Sequence, residues 1–128
     1  MVPKMTAADA YLSSSVENAP PIKIVRLLYQ GAIRFLGQAA LEDSSDPRSN
    51  FIKLLSDADA IVAELRLSLD ASAGSEEVVG NLQGLYLFCE GEIQRAMLDR
   101  DSAPLGGAKA VLETLLEAWT KVEAVRAA

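Results

Sequence analysis

The chain has 128 residues, 50% of them hydrophobic and 23% charged, which is typical of one globular domain. With 18 acidic and 12 basic side chains the net charge is −6, and this disfavours nucleic acid as a partner. The absence of histidine and the presence of one cysteine, Cys89, exclude His-bearing zinc sites, Ser-His-Asp and Cys-His triads and an internal disulfide. No cofactor is therefore predicted.

The N-terminal stretch lacks the apolar core of a secretory signal, and no window is apolar for long enough to span a membrane. We therefore expect a soluble cytoplasmic protein that does not insert into a membrane.

Proline and glycine divide the chain into a short leader and four long segments with helical spacing of apolar residues. The predicted elements are a leader over 1–18 and helices over 21–42, 48–71, 76–100 and 105–126. Pro21 and Pro47 suit a first helical position, and Gly74 and Ser75 suit a helix end followed by a new cap. Because the connections are short, we predict one all-α domain over 1–128, an antiparallel up-down four-helix bundle.

Two of the predicted helices each carry a single apolar stripe of the kind that faces a core. In 48–71 the stripe is Phe51, Leu54, Leu55, Ala58, Ile61, Val62, Leu65 and Leu69. In 105–126 it is Ala108, Val111, Leu112, Leu115, Leu116, Trp119 and Val122.

The helix predicted over 21–42 is apolar around more of its circumference than one core contact needs. One face has Ile22, Val25, Tyr29, Ala32, Ile33 and Leu36, and an adjoining face has Ile24, Leu28, Phe35 and Ala39. Leu27 lies among the polar residues. Such a helix is either covered by a partner on one side or packed in a wide core of its own protein.

The helix predicted over 76–100 has apolar residues on both sides. Its core stripe is Val78, Val79, Leu82, Leu85, Tyr86, Cys89, Ile93, Ala96 and Met97, and its back face is Gly80, Gly84, Gly91, Leu87, Phe88 and Leu98. Each mid-helix glycine costs about 0.8–1 kcal/mol relative to alanine. The back face is therefore either a shallow groove for a closely approaching helix, or a set of tolerated glycines or a local kink.

No catalytic constellation is evident. Carboxylate-bridged metal sites in bundles need histidine partners, so the glutamates are interpreted as solvated faces: Glu64, Glu77, Glu90, Glu92 and Glu113. Cys89 lies on a core stripe and is interpreted as a small hydrophobic residue rather than a nucleophile.

Several stretches of the chain form a series of short motifs. Pro21-Ile22-Lys23-Ile24 and Leu28-Tyr29-Gln30-Gly31-Ala32 resemble the run Pro-x-Lys-Leu followed by Leu-Tyr-Asp-Gly-Ala that opens the FliS family of flagellin-specific export chaperones. Later matches, in the family's order and spacing, are Ile61, Glu64-Leu65, Ser68-Leu69-Asp70, Gly74, Asn81-Leu82, Leu85-Tyr86, Leu115 and Trp119. Gln30, Asp57 and Ser75 depart from the family pattern.

The resemblance implies a helical bundle without enzymatic activity that binds the disordered C-terminal segment of flagellin in the cytoplasm. Such a protein prevents premature polymerisation and delivers flagellin to the flagellar type III export apparatus, whose gate is a second expected partner. On this basis the flagellin-binding residues are predicted on the surplus apolar faces: Ile24, Leu27, Leu28, Gly31, Phe35, Gly80, Gly84, Leu87, Phe88 and Gly91. Tyr11 and Leu12 of the leader are expected to cover part of this groove.

Three other functions remain open at this point. The surplus apolar faces also fit a self-associating adaptor, in which a second copy covers them, or a chaperone for a different secreted client. The flagellin chaperone itself is expected to be a monomer or a weak homodimer. The remaining alternative is a small enzyme of an unrecognised bundle class, but the sequence shows no paired acid and base that would support it.

Overall fold

Four α-helices account for most of residues 21–69 and 76–127, the part of the chain that the computed structural model describes. They are α1 (Pro21–Ala40), α2 (Phe51–Leu67), α3 (Glu76–Asp99) and α4 (Leu105–Ala127). No strand occurs among these residues, so the predicted all-α four-helix architecture is confirmed. The predicted leader and the predicted turn at Gly74 and Ser75 lie outside the described residues.

The connection between α1 and α2 is longer than the sequence predicts. Pro21 begins α1 as expected, but Pro47 does not begin α2, which starts at Phe51. Asp46 explains the difference, because its carbonyl accepts the Ser49 N–H at 3.0 Å and its Oδ1 accepts the Arg48 N–H at 2.9 Å. These bonds hold residues 46–49 in a turn and delay the helix.

The end of α3 is set by a non-glycine residue in the left-handed region. Arg100 has φ 48°, and the Asp101 N–H donates to the Ala96 carbonyl at 3.1 Å. This six-to-one bond is the Schellman termination of a helix, in which the left-handed residue is usually glycine. The boundary falls one residue before the predicted one.

The helices form a closed square in which each packs against two neighbours. α1 and α3 each contact both α2 and α4, so α1 and α3 occupy diagonal corners. Cross-helix contacts run in opposite directions: Arg26, near the start of α1, meets Glu123, near the end of α4. The same holds for α3 and α4, where Cys89 lies beside Ala108. Neighbouring helices are therefore antiparallel, as short connections require.

The core contains the predicted stripes of α2 and α4 with few exceptions. Its largest fully buried side chains are Tyr29, Tyr86, Phe51, Leu36, Leu55, Ile61, Ile93, Leu112, Val62 and Cys89. Three residues assigned to core stripes are instead exposed, namely Val78, Leu85 and Val122. Val78 lies in the first turn of α3 and Val122 near the end of α4, and Leu85 borders the small side chains Ala110 and Thr114 of α4.

A polar cluster of aromatic side chains joins three helices inside this core. The hydroxyl groups of Tyr29 on α1 and Tyr86 on α3 share a hydrogen bond across the diagonal, and Trp119 Nε1–H on α4 donates to Tyr29 Oη at 3.2 Å. Burial raises the pKa of both tyrosines above 10.0, which keeps their hydroxyl groups protonated and able to donate. The polar tips are thus paired, as burial of tyrosine and tryptophan demands.

Removing the Tyr29 hydroxyl should destabilise the protein more than removing that of Tyr86. Tyr29→Phe leaves the buried Tyr86 hydroxyl without its partner, at a cost of about 1–3 kcal/mol, and weakens the pairing of the half-buried Trp119 Nε1–H. Tyr86→Phe leaves the Trp119–Tyr29 bond in place and should cost less. Urea unfolding followed by circular dichroism measures both, and equal losses would contradict the assigned geometry.

Candidate functional site

The α1 half of the predicted binding set is covered by the protein's own helices. Leu28 is 4% exposed and Phe35 5% exposed, and both belong to the core. Gly31 is buried, Leu27 is partly buried, and Ile24 packs against the core from its edge. Leu28, Gly31 and Phe35 therefore do not line an open surface, and the wide-core interpretation accounts for the apolar width of α1. The physical reason is that α1 has both α2 and α4 as neighbours, on two of its faces.

The α3 half of the set faces outward. Leu87 is 50% exposed and Phe88 46% exposed. A Cβ atom built at Gly80, Gly84 or Gly91 would meet no atom within 4 Å. The glycines therefore form an open back face of α3 that no other described helix covers.

The two halves do not share one groove. α1 and α3 stand at diagonal corners, and the Tyr29–Tyr86 contact shows that they face each other through the core. The outward side of α3 consequently points away from α1. The structure therefore does not join the ten predicted residues into one surface.

An apolar groove lies instead between α3 and α4. It encloses about 260 Å³ and is lined by Leu85, Ala110, Val111, Thr114 and Leu115; we call it the α3–α4 groove. Leu85 is 36% exposed at its rim. The groove is open because α4 presents small side chains here: Ala110 and Thr114 leave the larger Leu85 and Val111 without cover. Leu85, Val111 and Leu115 all lie on apolar stripes predicted to face the core, so periodicity alone gives no signal for this groove.

Phe88 connects this groove to the end of the bundle. A Cβ atom built at Gly107, near the start of α4, would lie 3.7 Å from the Phe88 ring. Gly107 also borders a second depression of about 390 Å³, lined by Glu92, Arg95, Asp99, Asp101, Ala103, Pro104 and Gly107. We call this depression the polar mouth. Groove and mouth lie along the same seam between α3 and α4.

The glutamate assignments need one correction. Glu90 is 7% exposed rather than solvated, and it accepts from Arg66 Nε at 2.6 Å and from Arg66 Nη2 at 3.3 Å. A buried carboxylate is tolerated when a guanidinium binds it through two bonds. The pair joins α2 to α3 and is structural. Glu64, Glu77 and Glu113 are exposed, as predicted.

Asp59 of α2 lies beside this ion pair, and one of its carboxylate oxygens lacks a hydrogen bond from the described residues. Its Oδ1 is buried without a hydrogen-bond partner in the described structure. Burial, followed by the negative charge of Glu90, raises the Asp59 pKa above 3.8, although Gln94 and Arg66 act in the opposite direction. The charged form of Asp59 is therefore less favourable in the folded protein than in the unfolded chain.

Residues for metal or covalent chemistry do not gather at this seam. The described residues contain no group of three or more acidic or cysteine side chains placed to hold a metal ion. Burial raises the pKa of the Cys89 thiol to about 11, and its Sγ lies 3.7 Å from the Ala108 carbonyl. Cys89 is therefore a thiol packed in the core, far from the reactive thiolate form at neutral pH. None of the described helices combines the length and hydropathy needed to cross a membrane.

Comparison with known proteins gives a single family. The model of the family described as "Flagellar protein FliS" matches residues 4–126. The flagellar secretion chaperone FliSB of Pseudomonas aeruginosa is 30% identical over 110 residues, which are 84% of this chain and 85% of the relative. The flagellar secretion chaperone FliS of Campylobacter jejuni is 28% identical over 116 residues, 91% of this chain and 90% of the relative.

Replacing Asp59 by asparagine should stabilise the protein at neutral pH. The raised Asp59 pKa means that wild type carries a penalty above the folded-state pKa and none below the unfolded value of 3.8. The Asp59→Asn gain in free energy of unfolding should therefore be largest at pH 7 and disappear as the pH falls below 3.8. Denaturant unfolding of both proteins across this range measures it. Glu64→Gln on the same helix is the control, and a gain that grows toward low pH would refute the assignment.

Replacing Gly84 by alanine should also stabilise the protein, because the new Cβ enters open space. The expected gain is about 0.8–1 kcal/mol from helix propensity alone. Ala118→Gly, at an exposed position inside α4, is the matched control and should lose a similar amount. Thermal and urea unfolding measure both. A loss of stability in Gly84→Ala would show that the back face of α3 is covered after all.

Proposed function

Because this chain belongs to the FliS family of flagellar secretion chaperones, matched over residues 4–126, we propose that it binds the disordered C-terminal segment of flagellin in the cytoplasm. Binding prevents premature polymerisation, and the complex delivers flagellin to the flagellar type III export apparatus, with the export gate as second partner. The observation that carries the proposal is the open apolar seam between α3 and α4, on a chain of this family.

The physical account is coupled folding and binding. An apolar client segment that is disordered when free gains helical structure as it docks in a preformed groove. Leu85, Val111 and Leu115 supply the apolar floor, and the exposed Leu87 and Phe88 extend it over α3. The ordering of the client costs free energy, so affinity stays below what the buried area suggests and release remains feasible. No step of this function requires catalysis.

The surface for the client is proposed on the α3 part of the predicted set together with the groove. Gly80, Gly84 and Gly91 allow a helix to approach the outer side of α3 closely. Of the α1 residues, Ile24 and Leu27 are partly buried and retain accessible area. Leu28, Gly31 and Phe35 support the surface from within the core.

The leader remains part of the proposal. It joins α1 at Pro21, and the start of α1 lies beside the end of α4, where Arg26 Nε donates to Glu123 at 2.6 Å. The α3–α4 groove is lined on α4 by residues 110–115, so it begins about 12 Å along the helix from Glu123, toward the start of α4. Tyr11 and Leu12 are proposed to cover part of the groove until a client displaces them.

The proposal predicts that one aspartate in the groove weakens client binding without unfolding the chaperone. Leu85→Asp places a charge on the apolar floor, where losing the burial of a leucine costs about 1.5–3 kcal/mol, so binding should weaken at least tenfold. Isothermal titration of the full chain with the C-terminal segment of the flagellin encoded in the same genome measures this.

Leu67→Asp is the matched control. Leu67 is 70% exposed on α2, which is diagonal to α4, so this variant should bind as wild type does. Circular dichroism establishes that both variants are folded. If Leu67→Asp loses the client and Leu85→Asp retains it, the site lies elsewhere. If folded wild type does not bind flagellin at all, the proposed client is wrong.

A further inference from the structure

The seam between α3 and α4 changes chemical character along its length. Its groove section is lined by apolar and small side chains, whereas the polar mouth has three carboxylates and one guanidinium. On α3, Glu92 and Asp99 of the mouth lie seven and fourteen positions after Leu85 of the groove. At 1.5 Å per residue these intervals are about 10 Å and about 21 Å, or two and four helical turns.

The charges of the mouth are only partly compensated. Arg95 Nη2 donates to Glu92 at 2.9 Å, and Asp101 Oδ1 accepts the Ala103 N–H at 3.0 Å. No partner for the Asp99 carboxylate is found in the described structure, and Asp99 is exposed. The end of α3 and the start of α4 meet here, so their opposite partial charges largely cancel. The carboxylates therefore leave the mouth with a net negative charge.

We infer that the α3–α4 groove takes an amphipathic client helix that carries a lysine or arginine about four turns from a large apolar side chain. The apolar side chain lies over Leu85 and Val111, and the basic one reaches Asp99 in the polar mouth. This rests on the proposed function, since it specifies the chemistry of the segment that the groove binds. An apolar floor alone accepts a helix in either direction, whereas a charged mouth at one end fixes the direction of docking.

Designed peptides test the inference independently of any particular client. Alanine-based helices of about 24 residues, long enough to be helical, carry two leucines one turn apart and lysine, glutamine or glutamate about fourteen positions beyond the first leucine. Titration of the full chain, followed by NMR of the groove residues, should give the tightest binding for lysine and the weakest for glutamate. Each unit of charge should change the dissociation constant about two- to fivefold in low salt, and the differences should shrink in 0.5 M salt.

Variants of the chaperone identify the carboxylate that interacts with the basic side chain of the peptide. Asp99→Asn should remove most of the preference for lysine and Asp99→Lys should reverse it, while Glu64→Gln, an exposed carboxylate on α2, the helix diagonal to α4, should leave the preference unchanged. Equal binding of the three peptides to wild type, or an unchanged preference in Asp99→Lys, would overturn the inference. The flagellin segment is titrated in parallel. If it fails to bind while the peptides are still ranked by charge, the client is wrong and the inference stands.

Discussion

The hydrogen bond between the Tyr29 and Tyr86 hydroxyls is the contact on which the arrangement of the bundle depends. These residues belong to the two helices that stand at diagonal corners, so their bond spans the core rather than joining neighbours. Trp119 adds a third helix through its indole N–H. A buried polar cluster must be fully paired to be tolerated, and this pairing requires Tyr29 and Tyr86 to point into the core. Apolar packing alone tolerates several rotations.

This fixed rotation decides which apolar residues become surface. With Tyr86 pointing at the centre, Gly84 and Gly91 point outward, and Leu85 is placed at the rim toward α4. With Tyr29 pointing at the centre, Leu28 and Phe35 turn toward neighbouring helices and are buried. The open seam between α3 and α4 is thus a consequence of core geometry combined with small side chains on α4. A surface defined in this way is preformed. In the proposed complex, therefore, only the client segment loses conformational entropy on binding.

The sequence predicts the four helices and most of the core, because helical periodicity depends only on the chain itself. It predicts the α2 stripe from Phe51 to Leu65 correctly, and it identifies Cys89 as a packed residue. It does not predict that Asp46 forms a turn, since Pro47 fits a helix start equally well. It assigns Glu90 to solvent, because the position of Arg66 on the neighbouring helix is a property of the tertiary structure.

The candidate site could be predicted only in part for the same reason. Periodicity identifies α1 and α3 as helices with surplus apolar surface, but it does not say which helices are neighbours. In a square of four, two helices with wide apolar faces can be adjacent and form a groove, or diagonal and share a core. Here α2 and α4 cover the apolar residues Leu28 and Phe35 of α1. On α3, by contrast, the neighbouring positions of α4 are Ala110 and Thr114, which are too small to cover Leu85. The open surface arises where the broad apolar face of α3 meets small side chains of α4. The sequence of either helix alone does not show that these two faces meet.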